Sequence, residues 1–205
     1  MTINDYLRVA ETGDLQMSSG SSSFSVIIKN ATGCEFSHAA VFVWGQHCGQ
    51  EPGTPWIWES AGAGVGEVPF IHAVTTRDIN WLRRRLNPGA GRIAVRQLVV
   101  DRTPEMYASL KIHFDECRGW SYEQDKWELV RAVGWIGGLA KLVGRESESN
   151  LASQFCWEAA IAALQAFGAV PPEPPANHYS NNMCAYQDFP MLLGAKLLPL
   201  EEIEL

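Results

Sequence analysis

The sequence predicts an α+β fold in which a central antiparallel sheet packs against helices, and three observations carry that prediction. Residues 39–44 form a continuous apolar run rich in valine and aromatics, the composition of a strand covered on both faces. A second stretch, Trp56-Ile57-Trp58-Glu59-Ser60, follows a long loop over 45–55 holding Gly, Pro and polar residues, and reads as an antiparallel partner. Segments with helical punctuation, starting at Thr103 and running from about Cys156 to Gly168, supply the packing layer.

Along the chain, Gly13-Asp14-Leu15 and the serine-rich 18–23 segment read as a turn and a polar loop, and 24–32 as a short helix stopped by Gly33. The two strands come next, joined by a loop over 45–55. In an antiparallel pair the beginning of the first strand lies beside the end of the second, which sets His38 and Glu59 within a residue or two of each other. Gly62, Gly64 and Gly66 bend the chain before a short strand over 67–71, and 92–99 alternates as a further strand. The glycine run lacks the Gly-Lys-Ser/Thr ending of a phosphate loop and reads as a tight turn. Thr103-Pro104-Glu105 supplies a cap, a proline and an acidic first turn, and Met106, Leu110, Phe114 and Cys117 mark one face, which makes Cys117 a core residue. Residues 119–122 read as a loop and 127–143 as an apolar helix. Ser153 reads as the N-cap of the helix carrying Cys156, a proline-rich connector occupies 171–175, and 195–200 is a last strand.

Composition narrows the classes of function. At 205 residues the chain suits a single domain over 1–205, with 46% hydrophobic residues to build its core. A formal charge of -7 argues against nucleic acid as a partner, and Arg83-Arg84-Arg85 reads better as a solvated face or a few ion pairs. Five cysteines without a Cys-x-x-Cys pair argue against a disulfide framework and allow one thiol to be kept for chemistry. The opening Met1-Thr2-Ile3-Asn4-Asp5-Tyr6 has no basic segment followed by an apolar core. No signal peptide is read, and a cytoplasmic location is expected, with export by other signals left open. The longest apolar stretch, 129–143, contains Arg131 and Lys141 and is too short for a bilayer, so no integral membrane segment is expected.

The chemistry centres on Cys156, in Ser153-Gln154-Phe155-Cys156-Trp157-Glu158. A cysteine in the first turn of a helix meets free backbone N–H groups and the positive end of the macrodipole, an environment that favours thiolate. His38, opening the first strand, is the candidate base, and Glu59, closing the neighbouring strand, is the candidate group to hold the imidazole. Ser60, Gln46 or a backbone carbonyl are alternatives for that last role. A thiolate attacking a carbonyl, an imidazole managing the proton and a carboxylate fixing the tautomer together make a thiol hydrolase.

At these residues the chain resembles the circularly permuted, YiiX-like branch of the papain-like NlpC superfamily, to which the lecithin retinol acyltransferase group is related. The resemblance rests on Gly13-Asp14-Leu15, on Ser37-His38 leading an apolar strand, on Trp58-Glu59-Ser60-Ala61 ending the next, and on Phe155-Cys156-Trp157-Glu158 opening a helix, in that order. It implies a permuted papain-like fold with Cys156 as nucleophile, His38 as base and Glu59 as orienter, acting on a peptide, amide or acyl-lipid substrate without metal or cofactor. Tyr122 resembles a tyrosine that often precedes the cysteine segment, and with Trp157 is a candidate pocket residue. Trp157 also departs from the family, where a small hydroxyl residue commonly follows the cysteine.

The expected reaction is hydrolysis of an amide bond through a thioester, with acyl transfer or lipid-ester hydrolysis on the same triad, or an inactive binding module, as alternatives. Two further readings use other residues. Cys34, His38, His47 and Cys48 at a zinc ion fit no standard ligand spacing. Pairing Cys156 with His178 would keep the unpermuted order, but His178 follows the proline-rich connector and opens no apolar strand.

Overall fold

The computed structural model describes residues 1–20, 23–61, 64–70, 91–122, 153–154 and 156–204. Helix α1 (Ile3–Val9) precedes strand β1 (Leu15–Ser18), helix α2 (Ser23–Thr32), strand β2 (His38–Trp44), the single turn α3 (Gly45–Cys48), and strands β3 (Pro55–Ala61) and β4 (Gly64–Pro69). After residue 90 come β5 (Ile93–Arg96), β6 (Leu98–Val99), helix α4 (Pro104–Cys117), β7 (Ser121–Tyr122), β8 (Ser153–Gln154) and helix α5 (Cys156–Ala166). The chain closes with a 3-10 turn (Ala176–His178), helix α6 (Asn181–Tyr186), β9 (Lys196–Leu197) and β10 (Glu201–Ile203). The main sheet runs β10-β5-β1-β2-β3-β4, and every pairing in it is antiparallel. The protein is therefore α+β, with a mostly antiparallel sheet packed against helices.

Strand β2 is central because its residues alternate between two apolar layers. Ala39, Val41 and Val43 join a core with Cys156, Ala160, Ile161 and Leu164 of α5, while Ala40 and Phe42 join Tyr6, Ile57, Ile93 and Val95 on the other face. Helix α5 is buried almost all round, and its alanines at 159, 160 and 163 carry no bulk that would hold it off the sheet. Helix α4 starts at its Thr103 cap, whose Oγ1 accepts from Met106 N, and buries the predicted Met106, Leu110, Phe114 and Cys117. Phe114 stacks on Trp58 of β3 with centroids 4.1 Å apart, fastening α4 to the sheet.

The structure redraws several boundaries. Residues 92–99 split into β5 and β6, because the Leu98 N–H donates to Asp14 Oδ1 (2.9 Å) and leaves the ladder. The 45–55 loop begins with α3, closed by Gly49 in a left-handed conformation at φ 80. Ser153 is a strand residue paired with Ser121, so α5, beginning at Cys156, is not capped by it, and the helix ends at Ala166 rather than Gly168. That pairing also makes Ser121–Tyr122 a short parallel strand where a loop was expected. The tail strand is the two-residue β9, followed by β10. The strand expected over 67–71 is β4, which starts earlier and ends at Pro69, while residue 71 and the 127–143 helix fall outside the described residues.

Two buried charged side chains hold the connections around this sheet. Asp14 accepts from Leu98 N, from Glu11 N (3.1 Å) and from the Tyr6 hydroxyl (3.2 Å), which gives the Gly13-Asp14-Leu15 motif a structural role. Arg96 donates to the carbonyls of Leu198 (2.9 Å), Cys184 (3.2 Å) and Gln187 (2.8 Å), tying the C-terminal segment to β5. No helix among the described residues is long and apolar enough to cross a membrane.

Candidate active site

The antiparallel register of β2 and β3 builds the centre of the site. Val41 pairs with Trp58, so one step on Glu59 lies beside Ala40, diagonal to His38 on the same face. The side chains close that diagonal: His38 Nε2 and Glu59 Oε2 are 2.6 Å apart, a charge-assisted distance. Gln46 Oε1 is engaged by Gly53 N instead.

Cys156 comes to the same end of the sheet from the other direction, as the first residue of α5. Its thiol donates to the carbonyl of Ser37, the residue before His38, at 3.9 Å. The His38 side chain is 16% exposed while Cys156 is 1% exposed, so the solvent-facing part of this group is the imidazole. Burial works against a charged ring. The Cys156 sulfur and the Glu59 carboxylate outweigh it by charge and by hydrogen bonding, and His38 is pushed up to about 9 from an ordinary 6.5. With Nε2 held by Glu59, Nδ1 is the ring nitrogen left for another partner.

The remaining candidates lie elsewhere. None of the five cysteines is in a disulfide. Burial pushes the Cys48 and Cys117 thiols up to about 11, and it raises Cys34 and Cys184 as well. His47 Nδ1 meets Thr12 Oγ1 at 2.7 Å and its ring stacks on Tyr107, away from His38. His178, exposed, contacts Asn177 Oδ1 at 3.0 Å. Among the described residues no three or more His, Cys, Asp or Glu side chains are placed to share a metal ion. Trp157 is buried in the core. The backbone of Tyr122 pairs with Gln154, and its side chain lies outside the described residues. Ser37 was not singled out from sequence, and the signal that could have found it is its place directly before His38.

These features define an α+β fold with a histidine, a carboxylate and a cysteine gathered at one end of an antiparallel sheet. Among solved structures, the chain is similar to that of the metalloprotein yiiX from Escherichia coli O157:H7, at 16% identity and a TM-score of 0.53, over 95% of this chain and 96% of that one. The fold is thus YiiX-like. No family model matches the sequence, and no curated protein matches it.

Proposed function

We propose that this protein is a cysteine hydrolase of the permuted papain-like kind, cleaving an amide or peptide bond through a thioester on Cys156. One observation supports the reading most: Glu59 Oε2 is 2.6 Å from His38 Nε2, and the Cys156 sulfur lies 3.9 Å from the carbonyl of Ser37, the residue before that histidine. In this mechanism His38 takes the thiol proton as the sulfur attacks, and the imidazolium is stabilised by Glu59. The sulfur attacks the carbonyl carbon and a C–S bond forms as the carbonyl electron pair moves to oxygen. The backbone N–H of Cys156, at the open first turn of α5, faces the developing oxyanion. Collapse breaks the C–N bond, and His38 delivers its proton to the departing amine. Water then attacks the thioester as His38 takes its proton, the C–S bond breaks to release the acid, and the proton returns from His38 to sulfur to restore the thiol.

The solved neighbour is described as a metalloprotein. Here His38 Nε2 is taken by Glu59 and the described residues offer no set of three or more such donors, so these residues do not fit a resident metal. No step above runs through one.

The test is a panel of N-acyl-aminoacyl and dipeptidyl 4-nitroanilides offered to the wild type and to Cys156→Ala. Hydrolysis by the wild type and its loss in the variant are expected. Hydrolysis that persists in Cys156→Ala would overturn the proposal.

A further inference from the structure

Strand β1 flanks His38 on the side away from Glu59, and it carries two polar side chains the proposed triad does not use. Ser18 pairs directly with His38, and Gln16 pairs with Ala40. Residues opposite one another in antiparallel strands share a face, with Cβ atoms about 4.5–5.5 Å apart. Ser18, Gln16, His38 and Glu59 therefore share one face of β1, β2 and β3, around the small side chain of Ala40. Ser18 is 0% and Gln16 1% exposed. Among the described residues, neither the Ser18 hydroxyl nor either polar atom of the Gln16 amide group has a hydrogen-bond partner.

Such groups are rarely left so inside a protein. A buried polar atom without a partner destabilises the fold, and three of them on two same-face residues of one strand form a cluster, not a scattered fault. Across β1 the pair faces Ile93 and Val95, which offer nothing to bond. Cys156 is as deeply buried, at 1% exposed, so burial does not separate these two side chains from the proposed nucleophile.

We infer that Gln16 and Ser18 form a substrate subsite that binds a neutral peptide group adjoining the scissile bond, an inference that rests on the hydrolase reading above. The chemistry of the pair selects this class. A carboxamide offers a donor and an acceptor, and a hydroxyl can serve as either, which matches the C=O and N–H of a secondary amide. The pair carries no positive charge to meet a phosphate or carboxylate, and the alkyl part of a lipid ester would leave all three atoms unsatisfied. Discrimination of this kind is strong because rejection comes from buried polar groups left unpaired.

The experiment compares two activated esters of equal chain length, N-acetylglycine 4-nitrophenyl ester and 4-nitrophenyl pentanoate, which differ by the amide group. The readout is the ratio of their kcat/KM values, in which any general change of reactivity cancels. Gln16→Met with Ser18→Ala should lower that ratio by about tenfold or more, and Ser18→Ala alone should lower it partway. A ratio within twofold of wild type in the double variant overturns the subsite while leaving the hydrolase reading intact. Failure of the wild type to turn over either ester beyond Cys156→Ala overturns the hydrolase reading and the subsite with it. A second readout is thermal: Gln16→Met removes unpartnered atoms at nearly constant volume, so Tm should hold or rise. A fall of several degrees would mark Gln16 as structural and overturn its assignment to substrate.

Discussion

Glu59→Gln tests the coupling at the heart of the site. The substitution keeps the size of the side chain and an acceptor oxygen but removes the charge that faces His38 at 2.6 Å. Glu59 is 7% exposed, so solvent screening does little to weaken the pair. A hydrogen bond to a charged partner contributes about 1.5–3 kcal/mol. At about 1.4 kcal/mol per pH unit, the His38 ring should titrate about 1–2 units lower in Glu59→Gln than the value of about 9 it holds in the wild type. The assay is a pH titration of the histidine ring resonances by NMR, with the His38 signal assigned by its disappearance in His38→Gln. The folded value lies above the ordinary 6.5. The charged ring therefore stabilises the fold fully below about pH 6.5 and this contribution is lost as pH rises through about 9. A gap of that size corresponds to about 3 kcal/mol, so urea stability should fall across this window in the wild type and fall less in the variant. A His38 resonance that titrates at or below 6.5 in the wild type, or at the same pH in both proteins, would refute the reasoning.

Three further predictions concern the scaffold. Asp14→Ala leaves the Leu98 and Glu11 N–H groups and the Tyr6 hydroxyl without their acceptor, and it should lower unfolding stability by about 2–4 kcal/mol, read from the urea midpoint. Burial raises Asp14 to about 6 from 3.8, so its contribution is fully present below about pH 3.8 and lost as pH rises through about 6; Asp14→Asn should flatten the stability profile in that interval. Arg96→Ala should cost at least about 3 kcal/mol, since three carbonyls lose a charged donor in a site with little access to water, and Arg96→Lys should recover little, because an ammonium cannot reproduce the planar fork. Equal stability of Arg96→Ala and the wild type in urea would refute the clamp.

The elements legible in sequence were those whose burial leaves a periodic mark. The 39–44 run is apolar because both faces of β2 are covered, and the 103–117 helix announced itself by Thr103, Pro104 and one buried stripe. The meeting of His38 and Glu59 was legible too, because antiparallel pairing fixes diagonal neighbours once two consecutive strands are recognised. Elements held by the backbone alone were not. Strand β10, Glu201-Glu202-Ile203, reads as polar because it is the sheet's edge, where Glu201 and Glu202 are exposed and only Ile203 is buried. Helix α1 depends on contacts from distant segments, notably those of the Tyr6 ring with Phe42 and Phe70. Ser153 looked like a helix cap because its type suits one, but a pairing with Ser121 decides its backbone, and no local pattern encodes that partner.

The polar residues of β1 show where pattern and chemistry part company. Strands buried on both faces are expected to be apolar throughout, and Leu15 and Met17 obey this while Gln16 and Ser18 do not. Turning the strand by one residue would put Leu15 and Met17 on the His38 face and lose their contacts with the α5 core, so the register is fixed by the apolar pair. The polar pair is thereby carried to His38 whatever it costs the fold. A stability optimum would replace both with aliphatic residues, and their place beside His38, which Glu59 holds on the neighbouring strand, is what ties them to the chemistry. If the substrate presented only a hydrocarbon chain to this face, that replacement would improve both stability and fit. An amide beside the scissile bond is the partner that makes Gln16 and Ser18 worth keeping.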